Sequence, residues 1–476
     1  MTTIATETGT EGTEAPATSA LVGTAPPSPA GPVDEAARAC LAEPPSIPQR
    51  PLLQSLRFSQ RQIEFVFGAR RRYGEVFRMR GIVSGGPVIT SHPDHVRSLF
   101  TAKPELAPSL TKESPLRPIV GPNSVLTAVG PRHLRQRKLL LPPFHGEAIE
   151  AYARAITEAT EREIDGWPLG APFELAPRMQ AITLDVIMAG IFGVEGRPAA
   201  GTPEARLRAA VKRFVADSMR PGARLSELMH LGREEPNWLL DLVLTRLDRP
   251  TYEVIRARRR AELGERHDIL SLLLQARTEA GEALDDKELR DELLTLVLAG
   301  HETTANSLAW AWERLLRFPD AHEALLAAVR DDDGAEERVE ATIIETMRSR
   351  PVIPLIGRRV AVPWQLGELG VDADTPVGIS ILLLHHREDL YPDPYSFRPE
   401  RWLDRKPGTY EWIPFGGGIR RCLGAALAMA EQRVVLTAMA RRLDLEAADP
   451  APERALHRNV TMIPARGATV VLRNRR

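Results

Sequence analysis

The chain has 476 residues, 43% of them hydrophobic and 26% charged, with 62 Lys and Arg against 63 Asp and Glu. It can bury a substantial core, and its balanced charge excludes a global field for nucleic acid or an anionic membrane, so any charged partner has to be met by a local patch. Cys40 and Cys422 lie far apart, the first in a low-complexity segment, which excludes a disulfide framework and fits a reducing cytoplasm. No apolar run approaches the roughly 18–20 residues of a bilayer span, and the start "MTTIATETGT" lacks the basic and apolar regions of a signal peptide. A soluble cytoplasmic protein with no membrane anchor and no nucleic-acid partner is expected, acting as a monomer.

Residues 1–44 are rich in Thr, Ala, Pro, Gly and Glu without hydrophobic period, which predicts a disordered tail ahead of one large domain over residues 45–476. "YGEVFRMRG" and "GPVITS" predict short strands. From 132 to 350 the pattern is mostly helical: "EAIEAYARAITEATEREIDGW", "RLRAAVKRFVADSM" and "NWLLDLVLTRL" carry apolar residues at three- and four-residue spacing. The helix pair over about 203–260, with "RPGARLSELMHLGREEPN" between its halves, is expected to act as a mobile lid.

The longest helical pattern runs from Asp286 to Leu316, polar at both ends and apolar in the middle, as a helix crossing the core would be. "EERVEATIIETMRS" predicts a helix that stops before Pro351. Short apolar runs follow ("VIPLIG", "ISILLL"), then the proline-rich "LYPDPYSFRPERW", then "FGGGIRRCLG" and a helix over about 423–443. The end, "NVTMIPARGATVVL", reads as two strands around an Ala-Arg-Gly turn. The whole predicts a mainly α protein with small β-sheets in a single large domain.

Chemistry concentrates around Cys422. A thiolate ligand needs a lowered pKa, which a helix N-terminus and neighbouring cations both favour. Gly416, Gly417 and Gly418 let backbone approach a bulky flat group, and Arg420 and Arg421 suit its carboxylates. An isolated cysteine of this kind is more often an inert buried thiol. Upstream, Glu345 and Arg348 share one helical face, a spacing that alone describes many solvated salt bridges. Within the central helix, "AGHETT" places Glu302 and Thr303 inside an otherwise apolar run, while a metalloprotease reading of "HETTA" fails for want of a second histidine. His133 and Arg137, four apart on a predicted helix, can point together at an anion, or simply lie on the surface.

Taken in order, "AGHETT", "ExxR", "FRPERW" and F415-x-x-G418-x-R420-x-C422-x-G424 resemble the signatures of the cytochrome P450 family, over about residues 45–476. The resemblance implies a cytochrome P450-like fold and haem b (iron protoporphyrin IX) with Cys422 as its axial thiolate. It further implies Arg420, His133, Arg137 and Arg358 on the haem propionates, with Arg359 competing with Arg358, and Phe415 packed beside the sulfur to help tune its electron donation, with Gly418 in the cofactor-binding loop. Ala299 and Gly300 would leave room for oxygen, Glu302 and Thr303 would deliver protons, and Glu345, Arg348 and Arg401 would form a buried structural network.

The implied activity is a monooxygenase that inserts one atom of O2 into a lipophilic small molecule. Its electrons would come from a separate ferredoxin or flavodoxin and an NAD(P)H-dependent reductase, since the chain leaves no room for a fused reductase. Arg132, Arg135, Lys138 and Arg421 would face that donor. Thr295, Leu298, Ala299, Val352, Ile353 and the 105–128 loop are candidate substrate walls. A peroxide-driven peroxygenase, which would not need the acid–alcohol pair, and a non-catalytic haem-binding sensor or partner protein are the alternatives.

Overall fold

In a computed structural model, the chain is described over residues 25–80, 86–111, 114–144, 147–194, 196–218, 238–261, 268–277 and 281–476, with isolated positions 236 and 266. The central helix, Asp286–Arg317, begins in a capping box in which Asp285 and Glu288 each satisfy the other's backbone N–H. Its flanks, Leu289 to Thr295 and Thr304 to Leu315, are buried almost without a break, so the helix runs through the core as the pattern predicts. It packs along the helix Leu175–Phe192, apolar on nearly every face and itself mostly buried. That helix is long and apolar enough to cross a membrane by composition, but a core helix satisfies the same condition and its burial accounts for its apolarity.

Glu147–Asp165, Ala335–Ser349 and Ala425–Arg442 pack round this pair to form the helical body. Pro203–Ser218 packs against Trp238–Arg260, as the predicted helix pair requires; the lid segment proposed between them lies almost wholly outside the described residues.

The sheets are small and lie beside the helices. One has the strand order Phe77–Arg78, Val88–Thr90, Thr375–Ser380, Leu355–Val360, with a single parallel pairing between the middle two. "ISILLL" does not continue as a strand: Ser380 caps a short helix, Ile381–Leu384. The two C-terminal strands are present, yet they do not pair with each other. Thr461–Pro464 forms a hairpin with Ala455–Arg458, while Thr469–Arg475 lies between Leu443–Ala447 and Pro172–Glu174.

The expected tail is too long at its C-terminal side. Ala30–Pro32 adds a strand to Trp364–Leu366, Glu35–Ala39 is helical with Asp34 as its cap, and buried Arg38 pairs with Asp372 at 3.0 Å. Low sequence complexity hid these contacts because the strand has three residues and its partner is more than 300 residues away.

Candidate functional site

The cysteine loop is shaped by hydrogen bonds and by one close approach. The Cys422 N–H donates to the Phe415 carbonyl at 2.9 Å, and Gly416 N–H turns back onto Ile413 O at 3.0 Å. Gly418 has φ +63°, and a Cβ there would lie 2.5 Å from the Phe100 carbonyl oxygen, so only glycine fits. Phe415 packs on the Trp412 ring and into the helical core. Gly424 then caps Ala425–Arg442, leaving Cys422 just ahead of a helix N-terminus. The thiol is solvent-accessible but closely surrounded by protein: burial pushes its pKa up, against the lowering effects of the Gly424 amide, Arg137 and Arg421. A coordinating metal would reverse that balance, since it takes a thiol as thiolate.

Beside the cysteine is a cluster of nitrogen donors. Arg420 donates to the carbonyls of Val125 (3.1 Å) and Ala128, and Arg137 to the carbonyl of Arg421 at 2.7 Å. Arg358 is buried over the Phe100 ring, with its centre 5.3 Å away, and its guanidinium donates, among the described residues, only to its neighbour's carbonyl, Gly357 O. Burial lowers the Arg358 pKa to about 10; burial, then Arg358 and Arg137, lower that of Arg420 to about 10. Buried His133 is held down to about 4, first by burial and then by Arg420 and Arg137. Among the described residues no carboxylate reaches any of the four. Arg359 differs: it donates to the Asp374 carbonyl at 2.6 Å, on the outer side of the sheet. A group of packed nitrogen donors, three of them guanidiniums, with no acid of its own among the described residues fits a dianionic ligand, and the accessible thiol beside it fits that ligand's metal.

The central helix contributes a surface broken at one point. Ala299 is exposed between two buried flanks, and Thr303 Oγ1 returns to the Ala299 carbonyl at 2.7 Å. Thr183 Oγ1 donates to His301 O (2.8 Å) and Asn306 to Glu302 O (2.9 Å). Three carbonyls in one turn thus accept side-chain donors, which compete with the helix's own bonds there. Gly300 also lets the two long helices approach, since a Cβ there would meet Ile187 Cδ1 at 2.5 Å. Glu302 is met by Arg458 and Thr461, residues the sequence reading did not select.

Glu345, Arg348 and Arg401 come together with their side chains fully buried. Five donors reach the Glu345 carboxylate: Arg348 twice at 2.8 Å, the Arg398 N–H and Trp402 Nε1 at 2.9 Å, and Arg401 Nε at 3.3 Å. Arg348 also holds the carbonyls of His385, Pro394 and Ser396, and Arg401 that of Pro392. His385, kept neutral by burial with a pKa of about 3, accepts the Ile413 N–H at 2.9 Å. The network therefore fixes the segment that enters the cysteine loop.

The pocket expectations fare unevenly. Thr295 is only 4% exposed, and its hydroxyl bonds Asp291 O and Ser124 Oγ, both at 2.6 Å, so it fastens the 105–128 loop to the central helix. That loop is fastened further by Asn123 N–H on Asp291 and Val125 N–H on Glu292, both at 3.1 Å. Leu298, Val352 and Ile353 remain partly accessible. Of the expected donor face, Arg132 and Arg135 both turn to Glu288, at 3.6 and 3.3 Å, while Arg421 stays exposed.

Fold and site thus set an accessible cysteine and a group of basic side chains without a carboxylate partner among the described residues beside a long core helix. Comparison with known proteins is in accord. The family profile "Cytochrome P450" matches residues 43–471. Cytochrome P450 137 of Mycobacterium tuberculosis is 38% identical over 421 residues (85% of this chain, 84% of that one), and cytochrome P450 138 of Mycobacterium bovis 37% over 438 (91% and 96%). The chain belongs to the cytochrome P450 family, whose members are haem-thiolate proteins of the monooxygenase class. Its fold is similar to retinoic acid-bound cyanobacterial CYP120A1 (TM-score 0.76, 22% identity, 91% of this chain and 100% of that one) and to the cytochrome P450DA heme domain (TM-score 0.77, 22%, 92% and 98%).

Proposed function

We propose that the protein is an O2-dependent haem monooxygenase in which Cys422 would bind the haem iron and Arg420, His133, Arg137 and Arg358 would hold the two propionates. The observation that carries this reading is the acid-free cluster of those four residues beside an accessible cysteine. Arg358 is preferred to Arg359 because it is buried without an acidic partner among the described residues, whereas Arg359 is engaged with Asp374. When bound, haem supplies the redox chemistry of oxygen activation, RH + O2 + 2e⁻ + 2H⁺ → ROH + H2O. The chain's own residues supply the rest. Thr303 and Glu302 carry the two protons from solvent to the exposed Ala299 turn. Glu345, Arg348 and Arg401 keep the cysteine loop from shifting, and Phe415, packed in that loop, would help tune electron donation by the sulfur.

The substrate is a lipophilic small molecule, since Leu298, Val352 and Ile353 offer mainly apolar surface. Electrons arrive from a separate ferredoxin or flavodoxin in the cytoplasm, where Cys40 and Cys422 stay unpaired. Exposed Arg421 and Lys138 form the core of the docking face, with Arg132 and Arg135 available at the cost of their contacts to Glu288.

Ligands found by the optical shift of the ferric protein are incubated under 18O2 with a ferredoxin and its reductase, or with peroxide alone. A product carrying one labelled atom, formed only with O2 and reductant, is expected. Equal turnover on peroxide alone would make the protein a peroxygenase, and no turnover in either a haem-binding sensor.

A further inference from the structure

The Glu302 side chain leaves its own helix to meet the C-terminal hairpin. Arg458 ends the strand Ala455–Arg458, and after two residues Thr461 begins the return strand, with Asn459 at φ 51° making the turn. Arg458 Nε donates to Glu302 Oε1 at 3.1 Å, a second guanidinium nitrogen pairs with the same oxygen, and Thr461 Oγ1 donates to it at 3.0 Å. Among the described residues, every donor to this carboxylate reaches Oε1 and none reaches Oε2. Arg458 is nearly buried, 8% exposed, while the Glu302 side chain keeps 18% of its surface. The hairpin cannot drift, because Trp310 of the central helix donates to Met462 O at 3.1 Å and Met462 N–H to Val352 O at 2.7 Å.

We propose that Arg458, helped by Thr461, is a positioning residue for proton delivery: it immobilises one oxygen of Glu302 so that the other is presented for proton exchange beside Thr303. This rests on the reading of Glu302 and Thr303 as the proton-delivering pair. A carboxylate on two flexible methylenes samples several orientations, and any one is populated only when something outside the helix holds it. Charge-assisted bonds from a buried, permanently ionised guanidinium do so more firmly than water. Because the guanidinium cannot release its own proton, it orients Glu302 without competing as a donor. Holding Oε1 also leaves solvent a single oxygen through which to reload the acid.

The rival explanation is that the ion pair merely staples the hairpin to the helix. The two separate in holoprotein variants Arg458→Met, Arg458→Lys and Thr461→Val, with Glu302→Gln as reference. Without added substrate, a plant ferredoxin and its reductase drive O2 consumption, and the solvent deuterium isotope effect and the fraction of electrons recovered as hydrogen peroxide are measured. Difference infrared spectra, each variant's counterpart lacking Glu302 subtracted, report the splitting of the Glu302 carboxylate bands independently of turnover.

Arg458→Met is expected to change the band splitting, to alter the isotope effect in the direction of Glu302→Gln and to slow proton-dependent O2 consumption on the order of tenfold, less than the roughly hundredfold or more of losing an acid–base group. Lys at 458 restores most of each signal, and Thr461→Val, the milder variant should Met at 458 not fold, moves them the same way by less. Loss of thermal stability with bands and isotope effect unchanged would make the pair a staple and overturn the proposal. An unchanged isotope effect in Glu302→Gln itself would instead refute the underlying reading of the acid, and the positioning role with it.

Discussion

Replacing Glu345 by Gln tests the physical basis of the cysteine loop. The side chain keeps its shape but loses its charge, and two fully buried guanidiniums, Arg348 and Arg401, lose the carboxylate they share. Removing one partner of a buried ion pair costs about 3–5 kcal/mol, a large share of the roughly 5–15 kcal/mol that holds a domain folded. Gln also presents an NH2 where Arg348 and Trp402 donate, so at least one of the five bonds becomes a donor–donor clash. By contrast, the exposed pair Arg154–Glu158 on Glu147–Asp165 is worth about 0.5 kcal/mol. Urea unfolding of Glu345→Gln and Glu158→Gln, followed by tryptophan fluorescence with haem absorbance per chain, should show the first destabilised by at least about 3 kcal/mol and depleted of haem, the second near wild type. A Glu345→Gln protein within about 1 kcal/mol of wild type, with full haem, would refute the view that this carboxylate compensates buried charge.

Arg358→Met should raise haem dissociation by about tenfold or more, the equivalent of one charge-assisted hydrogen bond, while Arg359→Met changes it little; haem transfer to apomyoglobin measures both. Gly418→Ala places a Cβ against Phe100 O at positive φ, so it should yield little holoprotein, whereas Gly68→Ala, on the helix Gln62–Tyr73 with only an Arg71 side-chain nitrogen 4.0 Å from the new Cβ, should be tolerated; haem content per purified chain distinguishes them. Burial raises the Glu431 carboxyl to about 8, so its contribution is fully present below the unfolded value near 4.5 and is lost as pH rises through 8. Glu431→Gln should therefore match wild type near pH 4.5, exceed it in unfolding free energy by an amount growing about 1.4 kcal/mol per pH unit as pH rises towards 8, and keep a constant advantage above that; parallel pH profiles would contradict this.

The parts of the site that depend on residue type at short spacing were legible in the sequence: the loop around Cys422, the Glu345–Arg348 face and the Glu302–Thr303 interruption of an apolar helix. Each is local, so sequence distance and spatial distance coincide. What escaped notice is non-local. Arg458 lies 156 residues from Glu302, and nothing in "ALHRNVTM" marks one arginine as its partner. Thr295 looks like a pocket residue on a helical projection, but its hydroxyl is taken by Ser124 from a distant loop. Gly300 sits in a motif associated with oxygen, yet its contact is Ile187 on another helix. Leu175–Phe192 gave no amphipathic period because it is covered on nearly all sides. The C-terminal strands were visible as strands, but their partners were chosen by tertiary packing, which a turn signal between them does not encode.

The central claim is that the sulfur of Cys422 binds the haem iron. The reduced, carbon monoxide-bound spectrum of wild type and Cys422→His, both reconstituted with haem, tests it most directly. The account predicts a thiolate-type Soret band in wild type and its replacement by the shorter-wavelength, imidazole-type band in the variant. A variant that keeps the wild-type band would contradict it.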